Sequence, residues 1–164
     1  MSGRWSFSAP VDAPPDAVYA WLTDLREDDH ARPAYLRGAG AEAGARPARR
    51  EVVSREGDRL VVEDHWGSRA FRVDVTLDRE AREVRLEGKH GYRCVWRVVP
   101  DAPRTRVECE GRLEPHGLTA LLAPLFVPRL VRQIERDFHG HIEDLREALA
   151  PRPPGQPPQV ERVL

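Results

Sequence analysis

LTALLAPLFVPRLVRQIERDFHGHIEDLREAL, residues 118–149, begins as an oily run and ends as a regular amphipathic pattern. In its second part Val131, Ile134, Phe138, Ile142, Leu145 and Leu149 recur at steps of three and four, with Arg, Glu and Asp on the other face. That spacing predicts a helix of about five turns with one apolar stripe, which another layer of structure must cover. The first part carries Pro124 and Pro128. Proline lacks a backbone donor and clashes with the preceding turn, so Pro124 predicts a break, whereas Pro128 suits the start of a new helix. The expectation is a short helix near 117–123, a kink, and then the long helix. Leu118, Leu121, Leu122, Leu125 and Phe126 make the first part an apolar cluster.

The covering layer lies upstream. From about 48 to 114 the chain alternates apolar and polar residues in segments separated by turn signals: EGD at 56–58, GS at 67–68, DREA at 78–81, KHG at 89–91 and PDAP at 100–103. This pattern predicts six antiparallel strands, and Trp5, Phe7, Ala9 and Val11 predict one more at the amino terminus. A two-residue turn at Gly67-Ser68 sets Asp64 opposite Phe71, Val62 opposite Val73 and Leu60 opposite Val75. A loop at 89–91 sets Leu86 beside Cys94 and Val84 beside Trp96. Centring the last hairpin on Asp101-Ala102 sets Trp96 opposite Val107, Cys94 opposite Cys109 and Tyr92 opposite Gly111, with Arg93 and Glu110 paired outside. Between the first two strands, DAPPDAVYAWLTDLRED (12–28) reads as an amphipathic helix, with prolines at its start and Val18, Trp21, Leu22 and Leu25 on one face. A second helix is expected near 28–37, then a Gly/Ala-rich loop, GAGAEAGARP.

Composition narrows the function. A chain of 164 residues is the size of one ordinary domain, and the expected division is a domain over 1–150 with a proline-rich, disordered tail over 151–164. Lys plus Arg 26 against Asp plus Glu 27 gives a net charge of -1, so no long-range field favours nucleic acid or an anionic membrane. No stretch has the length and polarity of a signal peptide or an integral membrane segment, and a cytoplasmic location is the expectation. Cys94 and Cys109 cannot by themselves make a disulfide framework or a four-ligand zinc site, and they read as small core thiols. The six histidines form no metal motif, so no metal and no cofactor are expected. His30, His65 and His90 read as solvated, and His141, beside the apolar stripe, reads as a satisfied core histidine or a ligand contact.

The order of strand, helix pair, six strands and long last helix resembles the START-related helix-grip superfamily, which includes polyketide cyclase/dehydrase-like and coenzyme Q-binding proteins. FSAPVDAPPDAVYAWLTDL at 7–25, CVWRVVPDAPRTRVECEG at 94–111 and the quoted 118–149 stretch carry the likeness. The second-helix segment DDHARPAYL departs from it, lacking the tryptophan common near its proline. The resemblance implies an α+β helix-grip fold, a curved seven-stranded antiparallel sheet wrapped around the last helix with a tunnel or cavity between them. It also implies the binding or carrying of a small hydrophobic partner such as a lipid, isoprenoid or aromatic polyketide. On the inner face, the wall of that cavity falls to Val62, Asp64, Trp66, Phe71, Val73, Tyr92, Trp96 and Val107, while Leu118, Leu121, Leu122, Leu125 and Phe126 form either its apolar lip or a core cap at the open end of the sheet.

Asp64 is the polar exception on that face. An unpaired buried carboxylate costs several kcal/mol, so it is paired, hydrated or neutral. As a neutral acid near Tyr92 it could polarise a carbonyl or shuttle a proton, the chemistry of a cofactor-free cyclase or dehydratase. As an ion pair it is structural, and the register of the 50–56 strand decides whether Arg50 or Glu51 stands opposite it. A third reading is an accessory module with a filled core that binds a partner protein. Deletion of 151–164 is expected to leave the melting temperature unchanged, because the segment has few apolar residues to bury; a marked drop in a thermal melt would mean that Val160, Val163 or Leu164 docks.

Overall fold

The computed structural model describes residues 3–24, 49–66 and 69–151. The helix expected near 28–37, the loop after it, the Gly67-Ser68 turn itself and the tail beyond 151 lie outside them.

Seven antiparallel strands form one sheet: β1 (Gly3–Val11), β2 (Arg49–Glu56), β3 (Arg59–Trp66), β4 (Arg69–Asp78), β5 (Glu83–Gly88), β6 (Tyr92–Asp101) and β7 (Arg104–Leu113). The order across the sheet is β1-β7-β6-β5-β4-β3-β2, so every neighbour but β1-β7 is a hairpin partner in sequence. Helix α1 (Pro15–Thr23) follows β1, and α2 (Leu118–Leu149) ends the fold. This is the expected helix-grip arrangement.

Strand alternation decides the two faces. Leu60, Val62, Val73, Val75, Val84, Leu86, Cys94, Trp96, Val98, Val107 and Cys109 are all buried, whereas their neighbours form an outer charged ladder. Arg97 pairs with Glu83 at 2.8 Å and with Glu110 at 2.7 Å, and Arg85 also reaches Glu83 at 2.8 Å. Hydrogen bonds from Arg85 and then Arg97 hold the Glu83 carboxyl below its ordinary value. Asp64 stands opposite Phe71, Val62 opposite Val73 and Leu60 opposite Val75, as the turn chemistry predicts. Leu86 likewise faces Cys94, and Val84 faces Trp96.

The β6-β7 hairpin differs from expectation by two residues. Trp96 faces Cys109, Cys94 faces Gly111 and Tyr92 faces Leu113, so the turn is Ala102-Pro103. Pro103 has no N–H to give a ladder and is placed in the turn instead. A shift of two preserves the faces but changes the outer partners: Arg93 reaches Glu87 at 3.6 Å, and Glu110 pairs with Arg97.

Helix α2 is one helix of 32 residues, and the break expected at Pro124 is absent. Ala123 and Val127, on either side of that proline, are buried, and Val127 fills the space above Gly3, where a Cβ would stand 2.5 Å from its Cγ1. This packing offsets the cost of the missing donors, and both prolines are exposed, so water can satisfy the freed carbonyls. Further along, Phe138 is 1% exposed and packs on Phe7 (5.7 Å between ring centres) and Trp96 (5.4 Å). The Arg146 guanidinium donates twice to the Pro10 carbonyl, at 3.2 and 2.6 Å, and ties the end of α2 to β1.

Helix α1 begins where Pro14 and Pro15 pre-set the backbone, with Asp16 in the first turn, and buries Val18 and Trp21. Thr105 is fully buried because its hydroxyl donates to the Ala13 carbonyl at 2.6 Å, fixing the entry to α1. Phe138→Ala is expected to lower the unfolding free energy by about 3 to 5 kcal/mol in urea titration, the cost of losing a large buried ring between two layers; a loss below about 1 kcal/mol would contradict this packing.

Candidate functional site

Two groups of aromatic side chains stand on the inner side of the sheet, facing α2. The first is a continuous chain, from Phe7 through Phe138, Trp96 and His141 to Trp21, with Trp96–His141 at 5.2 Å and His141–Trp21 at 4.7 Å. It draws on β1, α2, β6 and α1. Trp96 is 5% exposed, and its indole N–H has no acceptor among the described residues.

The second group lies toward the start of β6. Trp5 stacks on Tyr92 at 5.9 Å, and Phe71 meets Tyr92 edge-on at 6.1 Å. Glycines make room for these rings. A Cβ on Gly111 would stand 2.3 Å from the Trp5 indole, and one on Gly88 would stand 3.1 Å from Phe71 and 3.3 Å from Tyr92. Here the wall is less covered: Val52, Phe71, Tyr92, Phe126, Val131 and Ile134 are half-buried and pack against the core behind them.

Of the residues expected to line a ligand, Val62, Val73, Trp96 and Val107 are fully buried on the inner face, and Phe71 and Tyr92 are half-buried beside them. Asp64 and Trp66 occupy inner-face register positions on β3, and their side chains lie outside the described set. Arg50, not Glu51, is the residue opposite Asp64. The lip is placed differently from expectation. Leu121, Leu122 and Leu125 are 78%, 54% and 72% exposed, and Phe126 alone of that group packs against the core. A kink would have freed the phase of this segment; because α2 is continuous, the inward Ala123 and Val127 force these leucines outward.

The periodicity places Arg, Glu and Asp residues opposite the apolar stripe, yet Asp137 is buried, as is His141 one turn later. The signal was present in the spacing. Residues four apart share a flank of the helix, so a histidine at the edge of the apolar stripe brings its i−4 neighbour with it. Both carry contacts to other groups.

Cys94 and Cys109 are buried free thiols with sulfurs 3.5 Å apart, placed diagonally across β6 and β7 rather than directly opposite. The hydrogen bond shared with Cys94, and then burial, push the Cys109 thiol well above the usual thiol range. Among the described residues no group of acidic, histidine and cysteine side chains could hold a metal, and no helix is long and apolar enough to cross a membrane.

The family model for polyketide cyclase/dehydrase and lipid transport matches residues 4–150. The chain belongs to this family. No functionally curated protein matches it significantly. Among solved structures it is similar to a protein from Thermus thermophilus, at 22% identity and a TM-score of 0.63, covering 92% of this chain and all 100% of the other. A Streptomyces aromatase/cyclase aligns at 15% identity and a TM-score of 0.66 over 91% of this chain and 94% of the other. A START superfamily protein from Mycobacterium smegmatis aligns at 14% identity and a TM-score of 0.53 over 87% and 99%. At these identities the structural likeness speaks for the fold.

The raised Cys109 value has a consequence for stability. The unfolded thiol ionises near its ordinary value of about 8.5 while the folded one stays neutral, so the stabilisation is whole below that pH and is lost as pH rises above it. Between about pH 8 and pH 10, the wild type is expected to lose unfolding free energy more steeply than Cys109→Ala, as followed by urea titration at each pH. Parallel curves would show that the thiol is not held neutral.

Proposed function

We propose that this protein binds or carries a small hydrophobic molecule in the space between the inner face of the sheet and α2, entered beside Phe71 and Tyr92. The observation that carries the reading is the set of half-buried apolar side chains from β2, β4, β6 and α2 that pack against the fully buried core. Water in contact with such side chains is displaced favourably by apolar surface, and few polar groups compete. The Trp96 indole N–H, buried without an acceptor among the described residues, can give a ligand carbonyl or hydroxyl one hydrogen bond. Membership of a family that includes lipid transport supports the same reading.

A cofactor-free cyclase or dehydratase is the second reading. It is favoured by the register that puts Asp64 opposite Phe71, whose ring touches Tyr92, so that an acid and a phenol stand on either side of one aromatic ring on the inner face, with β4 and β5 between their strands. Arg50 across from Asp64 weighs toward an ion pair, which would hold the carboxyl charged rather than as a proton donor.

Titration with a series of fatty acids and polycyclic aromatics should show affinity rising with apolar area, by up to about 0.8 kcal/mol per buried methylene, until the space is full. Trp96→Ala is expected to change the affinity by reshaping the inner face. With a neutral ligand, Asp64→Asn should keep nearly all the affinity of a carrier; in an enzyme it should keep binding and lose turnover by about a hundredfold or more. Absence of binding across the whole series would remove both readings.

A further inference from the structure

The phase of α2 gives it two opposed faces. Ala123, Val127, Phe138, Ile142 and Leu145 are buried, and with 3.6 residues per turn the direction opposite them is taken by Leu121, Leu122, Leu125, Arg129 and Arg132. The leucines are 78%, 54% and 72% exposed, with Leu130 on the flank at 36%. Arg129 and Arg132 are exposed and enter no ion pair among the described residues. Between Glu114 and Glu135 the sequence contains no acidic residue, so this turn-by-turn stripe is apolar at its start and purely cationic after it. The net charge of -1 for the whole chain conceals that local sign.

From this stripe we propose that the first half of α2 docks on the surface of an anionic lipid bilayer, with Leu121, Leu122 and Leu125 in the headgroup–acyl boundary and Arg129 and Arg132 against lipid phosphates. Leucines next to unpaired arginines on one helix face match a surface that is apolar inside and negatively charged at its rim. A second copy of the chain fits less well. These leucines expose roughly a few hundred Å², short of the roughly 800 Å² per partner that a stable interface covers. An antiparallel pairing through the leucines would also press Arg129 of each copy onto apolar surface without a counter-charge. The proposal concerns the outer face of α2 and does not depend on what the interior binds.

The test is flotation of the full chain with phosphatidylcholine vesicles, with and without phosphatidylglycerol. Binding is expected only to the anionic vesicles. Leu121→Ser with Leu125→Ser should reduce it by at least about tenfold, and Arg129→Gln with Arg132→Gln by about thirtyfold at low salt. All four positions are exposed, so both double variants should keep the wild-type circular dichroism and melting temperature, which verifies that they fold. Failure of the wild type to float with anionic vesicles would overturn the proposal, as would binding that survives the leucine substitutions. Sedimentation showing a wild-type dimer that Leu121→Ser with Leu125→Ser dissolves would also overturn it, and would assign the face to a second copy.

Discussion

One ring holds the two layers of this fold together. Phe138 stands between Phe7 of β1 and Trp96 of β6, at 5.7 and 5.4 Å, and is shielded from solvent. Its position fixes the rotation of α2 about its own axis. Once that rotation is fixed, Ile142 and Leu145 must face the sheet, Asp137 and His141 are carried into the interior on the flank, and Leu121 and Leu125 are turned outward. The composition of the interior and that of the outer helix face are thus two consequences of one contact. The glycines extend the same logic: Gly3 and Gly111 admit Val127 and Trp5 where any larger residue would push the layers apart.

Much of this could be read directly from the residues. Strand number, strand order along the chain and the inward face follow from period-two alternation, and the β3-β4 register is the one that a two-residue turn at positions 67 and 68 implies. The β6-β7 register escaped by two positions because PDAP holds two prolines, and only the pairing of both neighbouring strands shows which one must leave the ladder. Alternation is insensitive to such a shift, so a pairing displaced by two leaves the same residues on the inner face. The continuity of α2 through Pro124 was not legible, since the local penalty is readable in sequence and the compensating packing of Ala123 and Val127 is not.

The candidate site divides the same way. Val62, Phe71, Val73, Tyr92, Trp96 and Val107 stand on the inner side because their parity puts them there. Trp5 meets Tyr92 and Trp21 meets His141, each across a long stretch of chain, and a single sequence gives no measure of those meetings. Asp137 and His141 show the limit of periodicity. A helix flank is neither core nor surface until the neighbouring element is in place, and here α1 supplies Trp21 to cover it.

The sheet is open, and its two outermost strands are protected differently. On β1, Pro10 has no donor to offer, and its carbonyl is already occupied by Arg146. On β2 the pairing with β3 slips between Val52 and Ser54, leaving Val53 as a bulge beside the exposed charges of Glu51, Arg55 and Glu56. A seven-stranded sheet with two bare margins would be a template on which further chains could polymerise. These two devices leave neither margin straight, unoccupied and uncharged for the length of a strand, so the architecture resists fibril-like self-addition without closing into a barrel.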